Sequence, residues 1–498
     1  MILRPSSPIV HLVQLTDVER ADTKLLAKLV KACTYRDKRL DYQLSKLRRN
    51  RWMSREMREG KIAELEAQQQ VCLLKKNADG ELTVPSGLWP MLKKDFGAVV
   101  VNTARPGPSP ITFPWKKQPH ALRPYQDRAR ELLLREGHGA IELPTGSGKS
   151  LLALYLVHEL GFKTVVMAPS TSIADQLYAE FSEYLGKGTV GKFYGGQKEP
   201  KKRIVVAVAA SLTRVEPGSP AWKALQEAEV FIADEAHRCP AATLEKVCFG
   251  LLAPAHYRFF LSATQLREDG LGLLLQGITG PVVMTMTLRD GVDAGFLARP
   301  RFRMVRLHTS TNFRTADILQ MNRVLLMYNP EVLRRAAMIA NGAVRAGHQV
   351  LVLIDEIQQF VHLRPLLKGP VAFAHGPTTP GVLAPEYQDS DPTQLVKEFN
   401  AGEHPILVGT SCISEGTDTR PVKTMIYLKG GKSEIDVRQS LGRCTRRVEG
   451  KTECNVVDFD VFIDGYDDKD TGGPMHRHAL VRKRIYEETY PPVDTLRM

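Results

Sequence analysis

A glycine-rich loop early in the chain combines residue types that bind phosphate. From Pro144 to Ser150 the sequence is Pro-Thr-Gly-Ser-Gly-Lys-Ser, and the apolar stretch 151–157 follows. Glycines let successive backbone N–H groups point into one concavity, and the N-terminus of a following helix adds donors and a positive dipole end. Lys149 could reach β- and γ-phosphates, and the Ser150 hydroxyl could bind Mg²⁺. We therefore predict nucleotide binding by Thr145, Gly146, Ser147, Gly148, Lys149 and Ser150.

The loop departs from the strict pattern G-x-x-x-x-G-K-[ST], because Leu143 stands where the first glycine belongs. The alternative interpretation is a glycine-rich turn that caps a helix. Phosphate binding is favoured because the loop, the lysine and the predicted helix all agree with it.

Two adjacent carboxylates, Asp234 and Glu235, follow an apolar stretch about 85 residues after Lys149. At the end of a strand, neighbouring side chains point in different directions. One carboxylate could therefore hold Mg²⁺ together with Ser150, while the other orients or deprotonates a water molecule. An acidic residue at this place is also a common helix N-cap. The phosphate loop upstream favours the catalytic interpretation.

The elements that must position these residues are short apolar strands separated by helical stretches. The predicted strands are 140–143, 164–168, 204–209, 230–233 and 259–261, and later 349–354, 371–374, 406–409, 424–428 and 455–459. Buried parallel strands alternating with helices predict α/β sheets that bind ligands at the strand C-termini. The candidate chemistry lies just after such strands.

Length and composition indicate a globular protein of about three domains. No apolar run approaches the length of a bilayer span, and the N-terminus lacks a signal-peptide core, so we expect an intracellular protein and no membrane partner. The net charge of +13 favours a polyanionic partner such as nucleic acid, although a basic but otherwise ordinary enzyme is the alternative. The seven scattered cysteines contain no C-x-x-C pair and predict neither a zinc site nor a disulfide framework.

The first 117 residues have a basic character of their own. Between Lys24 and Lys61 there are thirteen Lys or Arg residues against four Asp or Glu. Arg48, Arg49 and Arg51 cluster around Trp52, and we predict that they contact a nucleic-acid backbone; a solvated helix face is the alternative. Residues 71–85 predict a β-hairpin, and the prolines of 103–118 predict a linker.

Four motifs stand in the order typical of superfamily 2 helicases, which this chain resembles between about residues 120 and 460: Pro144–Ser150, Asp234–His237, Ser262–Thr264 and Gln439–Arg446. The family's loop lacks the first glycine, so Leu143 fits the resemblance. The resemblance implies two tandem RecA-like parallel-sheet lobes, with ATP and Mg²⁺ as cofactors. We therefore expect an α/β fold with an N-terminal α+β accessory domain (1–117), a first lobe (118–298) and a second lobe (299–498).

The resemblance also assigns roles to single residues. Arg123 and Gln126 stand in the region that recognises adenine, and Gly416 and Asp418 in a motif that touches nucleotide and nucleic acid. Asp234 and Glu235 are expected to be catalytic, with Gln439, Arg443 and Arg446 acting on the phosphates. His237, Ser262 and Thr264 are expected to couple hydrolysis to nucleic acid. The nucleic-acid contacts implied are Pro169, Ser170, Gln176, Ser211 and Thr410, although Val208 departs from the threonine common in that motif.

The segments 267–270 and 295–300 are similar to those of XPB-like DNA helicases and UvsW-type phage helicases, whereas a DEAD-box RNA helicase would have Asp in place of His237. The function expected from this resemblance is an ATP-dependent DNA helicase or translocase, and the location it implies is the cytoplasm of a bacterial or phage-infected cell. It would move on or remodel duplex and branched DNA in replication, recombination or repair, with other proteins of those processes as further candidate partners. The alternatives are an RNA helicase and a DNA-binding ATPase subunit of a restriction or repair complex.

Overall fold

The computed structural model describes residues 1–50, 52–101, 105–109, 111–262, 271–310, 317–376, 378–379, 381–388, 391–410, 413, 419, 421–466 and 471–497. These residues form two packed units. The first contains 1–143 and 148–285, and the second contains 144–147 and 286–498. The predicted three-domain boundaries stay a prediction. Among the described residues, no helix has both the length and the apolar character required to cross a bilayer.

The described strands, in chain order, are β1 (Ile2–Ser7), β2 (Val10–Gln14), β3 (Thr34–Arg36), β4 (Gln70–Cys72), β5 (Lys75–Lys76), β6 (Leu82–Pro85), β7 (Val99–Val100), β8 (His138–Glu142), β9 (Thr164–Ala168), β10 (Val190–Tyr194), β11 (Gln197–Lys198), β12 (Ile204–Val208), β13 (Val230–Asp234), β14 (Tyr257–Ser262), β15 (Val282–Thr285), β16 (Arg299–Thr309), β17 (Gln349–Leu353), β18 (Val371–Ala374), β19 (Ile406–Gly409), β20 (Val422–Tyr427), β21 (Glu453–Ile463) and β22 (Val493–Arg497).

The described α-helices are α1 (Asp17–Ala21), α2 (Thr23–Ala32), α3 (Leu40–Arg49), α4 (Arg55–Gln69), α5 (Trp89–Phe96), α6 (Pro124–Glu136), α7 (Lys149–Leu160), α8 (Thr171–Leu185), α9 (Ala209–Leu212), α10 (Pro220–Gln226), α11 (Ala241–Lys246), α12 (Gly272–Thr279), α13 (Leu288–Asp293), α14 (Ile318–Asn322), α15 (Pro330–Arg345), α16 (Ile357–Leu363), α17 (Pro385–Gln388), α18 (Pro392–Ala401), α19 (Glu434–Cys444) and α20 (Gly473–Thr489).

An eight-stranded sheet in the order β11-β10-β12-β9-β13-β14-β8-β15 is the core of the first unit. Apart from the β10–β11 hairpin, its neighbouring strands are parallel. Every residue of β9, β12, β13 and β14 is buried, which explains their continuous apolar sequences. The carboxyl ends of the central strands lead into the phosphate loop, the Asp234-Glu235 pair and Ser262, so one edge of the sheet collects the predicted chemistry.

The second unit contains a seven-stranded sheet in the order β18-β19-β17-β20-β21-β16-β22, and all its neighbouring pairs are parallel. Strand β16 is eleven residues long and pairs with β21 along its whole length. The two parallel sheets confirm the predicted α/β fold class.

The N-terminal residues form a five-stranded, mostly antiparallel sheet in the order β5-β6-β2-β1-β7, with helices beside it. The predicted hairpin is confirmed where β5 pairs with β6. The region packs closely onto α12 at Gly87, where an added Cβ would clash with the carbonyl oxygen of Gln276. A short antiparallel ribbon, β3–β4, carries the helical pair α3–α4.

Candidate nucleotide-binding and catalytic site

The backbone of the phosphate loop has the conformation that its glycines predict. Gly146 and Gly148 have φ values of 84° and 79°, in the left-handed region that side chains disfavour. Helix α7 then begins at Lys149, so its unpaired N-terminal N–H groups follow the loop directly. Within the second unit, to which residues 144–147 belong, an added Cβ on Gly146 would lie 2.7 Å from Cγ of Arg446.

Lys149 is buried and held by two oxygen atoms of the first unit. Its Nζ donates a hydrogen bond to the carbonyl oxygen of Leu143 at 3.2 Å and lies 3.1 Å from Oε1 of Glu235. Leu143 has no exposed surface, and its N–H donates to the carbonyl oxygen of Ser262 at 2.9 Å. Leu143, which replaces the first glycine, therefore anchors the loop, and its carbonyl oxygen accepts a hydrogen bond from the Lys149 ammonium group.

Glu235 has the left-handed backbone angles φ 46° and ψ 45°. It is the single non-glycine residue with positive φ in the part of the chain that the structure describes. Such a conformation costs a non-glycine residue on the order of 1–3 kcal/mol and persists where its surroundings impose it. The turn directs the Glu235 carboxylate to Lys149, while Asp234 stays in the buried end of β13.

Burial, followed by the neighbouring Glu235 carboxylate, raises the pKa of Asp234 to about 7, and Lys149 acts in the opposite direction. Its Oδ1 is buried and has no hydrogen-bond partner among the described residues. An orphaned carboxylate oxygen beside a phosphate loop fits a divalent cation. The described residues contain no group of three His, Cys, Asp or Glu that could hold a metal alone. In proteins, Mg²⁺ usually takes further ligands from phosphates and water.

His237 is buried next to Ser262, a predicted coupling residue, and Glu235, the predicted base. Its Nδ1 lies 2.5 Å from Oγ of Ser262 and 3.4 Å from Oε2 of Glu235. The structure thus places two of the predicted coupling residues in direct contact, and it connects them to the carboxylate predicted to be the base.

Gln126 lies at the start of α6 and is almost completely buried. Its Oε1 accepts a hydrogen bond from the backbone N–H of Arg123 at 2.8 Å, and its Nε2 donates to the carbonyl oxygen of Gly148 at 3.1 Å. The Arg123 guanidinium donates to the hydroxyl of Tyr125 at 3.2 Å. Gln126 therefore holds the phosphate loop, a contact that sequence reasoning did not find; its predicted adenine contact stays a prediction.

Four of the residues predicted to touch nucleic acid follow strands β9 and β12 of the first sheet. Pro169 and Ser170 follow β9, and Ser170 is the N-cap of α8 with a buried Oγ that has no partner among the described residues. Gln176 is exposed on α8, and Ser211 is half-buried in α9 after β12. These roles stay predictions.

In the second unit, Gln439 and Arg443 are buried on α19, and Arg446 follows it. The carbonyl oxygen of Arg443 accepts a hydrogen bond from the Thr419 hydroxyl at 3.2 Å, and Arg446 forms an antiparallel bridge with Leu297. Thr410 is buried after β19, where its N–H donates to the carbonyl oxygen of Ala374 at 3.2 Å. These contacts position the predicted phosphate-facing arginines on a regular helix and its end.

Arg48 and Arg49 are exposed at the end of α3, far along the chain from the phosphate loop. Five of the predicted positions lie outside the described residues: Arg51, Thr264, Gly416, Asp418 and the segment 267–270. Leu143 is the participant that sequence reasoning missed, because it contributes a backbone carbonyl, which no residue type reveals.

Two family models match the chain: "Type III restriction enzyme, res subunit" over residues 119–267 and "Helicase conserved C-terminal domain" over residues 333–448. The DNA 3'-5' translocase XPB2 of Sulfurisphaera tokodaii is 24% identical over 371 residues, which are 68% of this chain and 81% of that protein. The probable helicase D10 of Escherichia phage T5 is 28% identical over 348 residues, covering 68% of this chain and 70% of the relative.

The fold is similar to that of a putative HsdR subunit of a type I restriction enzyme from Vibrio vulnificus. That structure has a TM-score of 0.53 and 19% identity, and the match covers 77% of this chain and 70% of that one. The sequence matches and the shared fold agree with the four motifs and with the site geometry.

Proposed function

We propose that this chain, which belongs to the superfamily 2 helicases, is an ATP-dependent DNA translocase that moves on or remodels duplex and branched DNA. The observation that carries the proposal is the buried cluster at the sheet edge. Lys149 lies 3.1 Å from Glu235, next to an Asp234 oxygen that lacks a hydrogen-bond partner among the described residues. A cation, a base and a metal ligand at the start of a helix are the groups that phosphoryl transfer requires.

ATP binding would exchange the partners of Lys149. The ammonium group, now held by Glu235 and the Leu143 carbonyl, would move to the β- and γ-phosphates. That exchange would release the Glu235 carboxylate to orient and deprotonate the attacking water.

Ser150 and Asp234 would hold Mg²⁺, which when bound supplies positive charge to the transferring phosphate. Asp234 provides the orphaned oxygen, and Ser150 lies in the first turn of α7. Arg443 and Arg446 would neutralise charge that develops on the phosphates, because a guanidinium pairs with phosphate oxygens bidentately and never loses its charge. Gln439 shares the helix with Arg443 and would assist it.

DNA is the proposed substrate for two reasons. Relatives over about two thirds of the chain are named as DNA translocases and helicases of the XPB kind or as a phage helicase. The net charge of +13 favours a polyanion.

His237 and Ser262 would transmit DNA binding to Glu235, which lies 3.4 Å from His237. The DNA strand would be contacted by Pro169, Ser170, Gln176, Ser211 and Thr410. We propose that this activity serves replication, recombination or repair.

The test is remodelling of four-way and forked DNA by the full chain, read as strand products on a native gel. Wild type with ATP and Mg²⁺ is expected to convert both substrates, while Glu235→Gln is expected to bind them without converting them. ATP-independent conversion, or equal conversion by both proteins, would count against the proposal. Matching forked RNA is included, because preferential conversion of RNA would favour an RNA helicase.

A second candidate is an ATPase subunit of a restriction or repair complex, and the match of residues 119–267 to the restriction res subunit favours it. In that case ATP would act as a clamp, with hydrolysis limited to a single turnover and without translocation. Displacement of a third strand from triplex DNA separates the two candidates, because steady displacement requires movement along duplex.

A further inference from the structure

The helical pair α3–α4 presents an unusual surface at its tip. The antiparallel ribbon β3–β4 forms the base of the pair, and residues 50–54 connect the two helices. Leu44 is the single buried residue of α3 and Gln69 the single one of α4. Helix α4 has fifteen residues, so the connection lies about 22 Å from the ribbon. The pair therefore projects its connection away from the packed core of the first unit.

Trp52 lies in this connection and is 99% exposed. An indole is the largest apolar side chain, and a fully exposed one gains free energy when a flat, apolar partner covers it. The Trp52 N–H donates a hydrogen bond to Oδ1 of Asn50 at 2.9 Å. The tip thus holds a large aromatic ring outside the protein core.

The charge around Trp52 identifies the chemistry of the partner. Residues 46–58 contain six Lys or Arg and a single acidic residue, Glu56. Lys46 and Arg49 are exposed and make no ion pair with any other residue that the structure describes. Arg48 and Arg55 pair with Glu66 and Glu59 at 2.7 Å, but these exposed pairs are weak and can be exchanged for phosphate.

We propose that Trp52 stacks on an unpaired base at a single-strand–duplex junction while the surrounding arginines and Lys46 contact the adjacent phosphates. Every base offers a π-face, so an aromatic ring within a basic surface binds single-stranded nucleic acid without a sequence requirement. A base inside a duplex is stacked on both faces, and only the last pair of a blunt end exposes one. The tip is therefore expected to prefer forks and junctions, which expose an unpaired base beside a duplex backbone, over blunt duplex. The inference rests on the proposed function, because it names the DNA feature that this accessory region would find for the motor.

The test measures binding of the full chain to labelled forked, blunt-duplex and single-stranded DNA by fluorescence anisotropy at two salt concentrations. Trp52→Ala is expected to bind forked DNA about tenfold more weakly and blunt duplex nearly as well as wild type. Tyr42→Ala is the matched control, since Tyr42 is a 77% exposed aromatic residue near the base of the same pair. It is expected to bind all three DNAs like wild type.

Two further variants separate stacking from charge. Trp52→Phe is expected to retain fork affinity within about threefold but to lose the part of the protein's tryptophan fluorescence that forked DNA quenches. Arg49→Gln is expected to weaken binding to all three DNAs and to lower the slope of log affinity against log salt by about one. Trp52→Ala is expected to leave that slope unchanged.

Equal fork affinity for wild type and Trp52→Ala would overturn the inference, as would full fluorescence quenching in Trp52→Phe. Such results beside DNA-stimulated ATP hydrolysis by wild type would leave the proposed function standing. Failure of wild type to bind any DNA would overturn both.

Discussion

The ammonium group of Lys149 lies 3.1 Å from Oε1 of Glu235, so the predicted phosphate-binding cation and the predicted general base form an ion pair. Both side chains are largely buried, and removal of either one would leave an uncompensated charge at the sheet edge. The pairing makes the two residues one functional unit. Substitutions in this cluster are therefore expected to affect binding and chemistry in distinguishable ways.

Replacing Glu235 with Gln keeps the shape of the side chain and removes its charge. Because the base is lost, ATP hydrolysis is expected to fall by about 10² to 10⁴-fold, while nucleotide still binds. Steady-state hydrolysis and binding of a fluorescent ATP analogue measure the two effects. Glu227→Gln is the control, since Glu227 forms an exposed ion pair with Lys163 in the same unit. A variant that hydrolyses ATP at the wild-type rate would exclude Glu235 as the base.

Gln126 offers a test of how the phosphate loop is held. Gln126→Glu retains an acceptor for the Arg123 N–H but places a carboxylate against the carbonyl oxygen of Gly148. Loss of that hydrogen bond with an added repulsion is expected to raise the KM about tenfold for ATP and for GTP alike. Kinetics with both nucleotides provide the measurement. A rise confined to ATP would instead indicate that adenine recognition is the main role of Gln126.

The contact of His237 with Ser262 is expected to couple DNA binding to hydrolysis. Ser262→Ala removes the hydroxyl that lies 2.5 Å from Nδ1 of His237, and with it a contact that helps to orient the imidazole. We expect the ratio of DNA-stimulated to DNA-free ATP hydrolysis to fall about 3- to 30-fold. Ser182→Ala is the control, because Ser182 is a buried serine of the same unit whose hydroxyl has no partner among the described residues. An unchanged ratio in Ser262→Ala would disprove the coupling role.

Two buried histidines predict acid sensitivity of the first unit. Burial, followed by Arg258, lowers the pKa of His138 to about 3, and burial, followed by Arg105, lowers the pKa of His11 to about 4. Both are neutral when folded, whereas in the unfolded chain they protonate below about pH 6.5. Their contribution to stability is therefore present above pH 6.5 and lost as the pH falls toward 4, by at most about 2 kcal/mol each at pH 5.

Thermal unfolding of the intact chain between pH 7.5 and 5 measures this effect. The melting temperature of wild type is expected to decrease as the pH falls, and that of His138→Gln is expected to decrease less. Glutamine cannot titrate, yet it retains a donor for the Ile278 carbonyl oxygen, which lies 2.9 Å from His138 Nε2. Identical pH dependence in the two proteins would contradict the assignment to His138.

Local patterns predicted much of this architecture. The strands at 164–168, 371–374 and 406–409 were predicted with their observed bounds, because continuous apolar runs between turn residues specify buried parallel strands. Strand β16 was missed, although the arginines at 299, 301 and 303 alternate with buried residues, which is the period of two expected of a strand. Backbone contacts were beyond sequence reasoning for a physical reason. The Leu143 carbonyl and the left-handed turn at Glu235 depend on how distant strands pack.

Stimulation of ATP hydrolysis by nucleic acid tests the central claim most directly. Rates would be measured for the full chain without nucleic acid and with single-stranded, duplex, forked and four-way DNA and with RNA, at two salt concentrations, because phosphate contacts alone can mimic a preference. We predict hydrolysis that is stimulated by DNA more than by RNA at both salt concentrations and that is lost in Lys149→Ala. An ATPase that responds to neither DNA nor RNA would contradict the account.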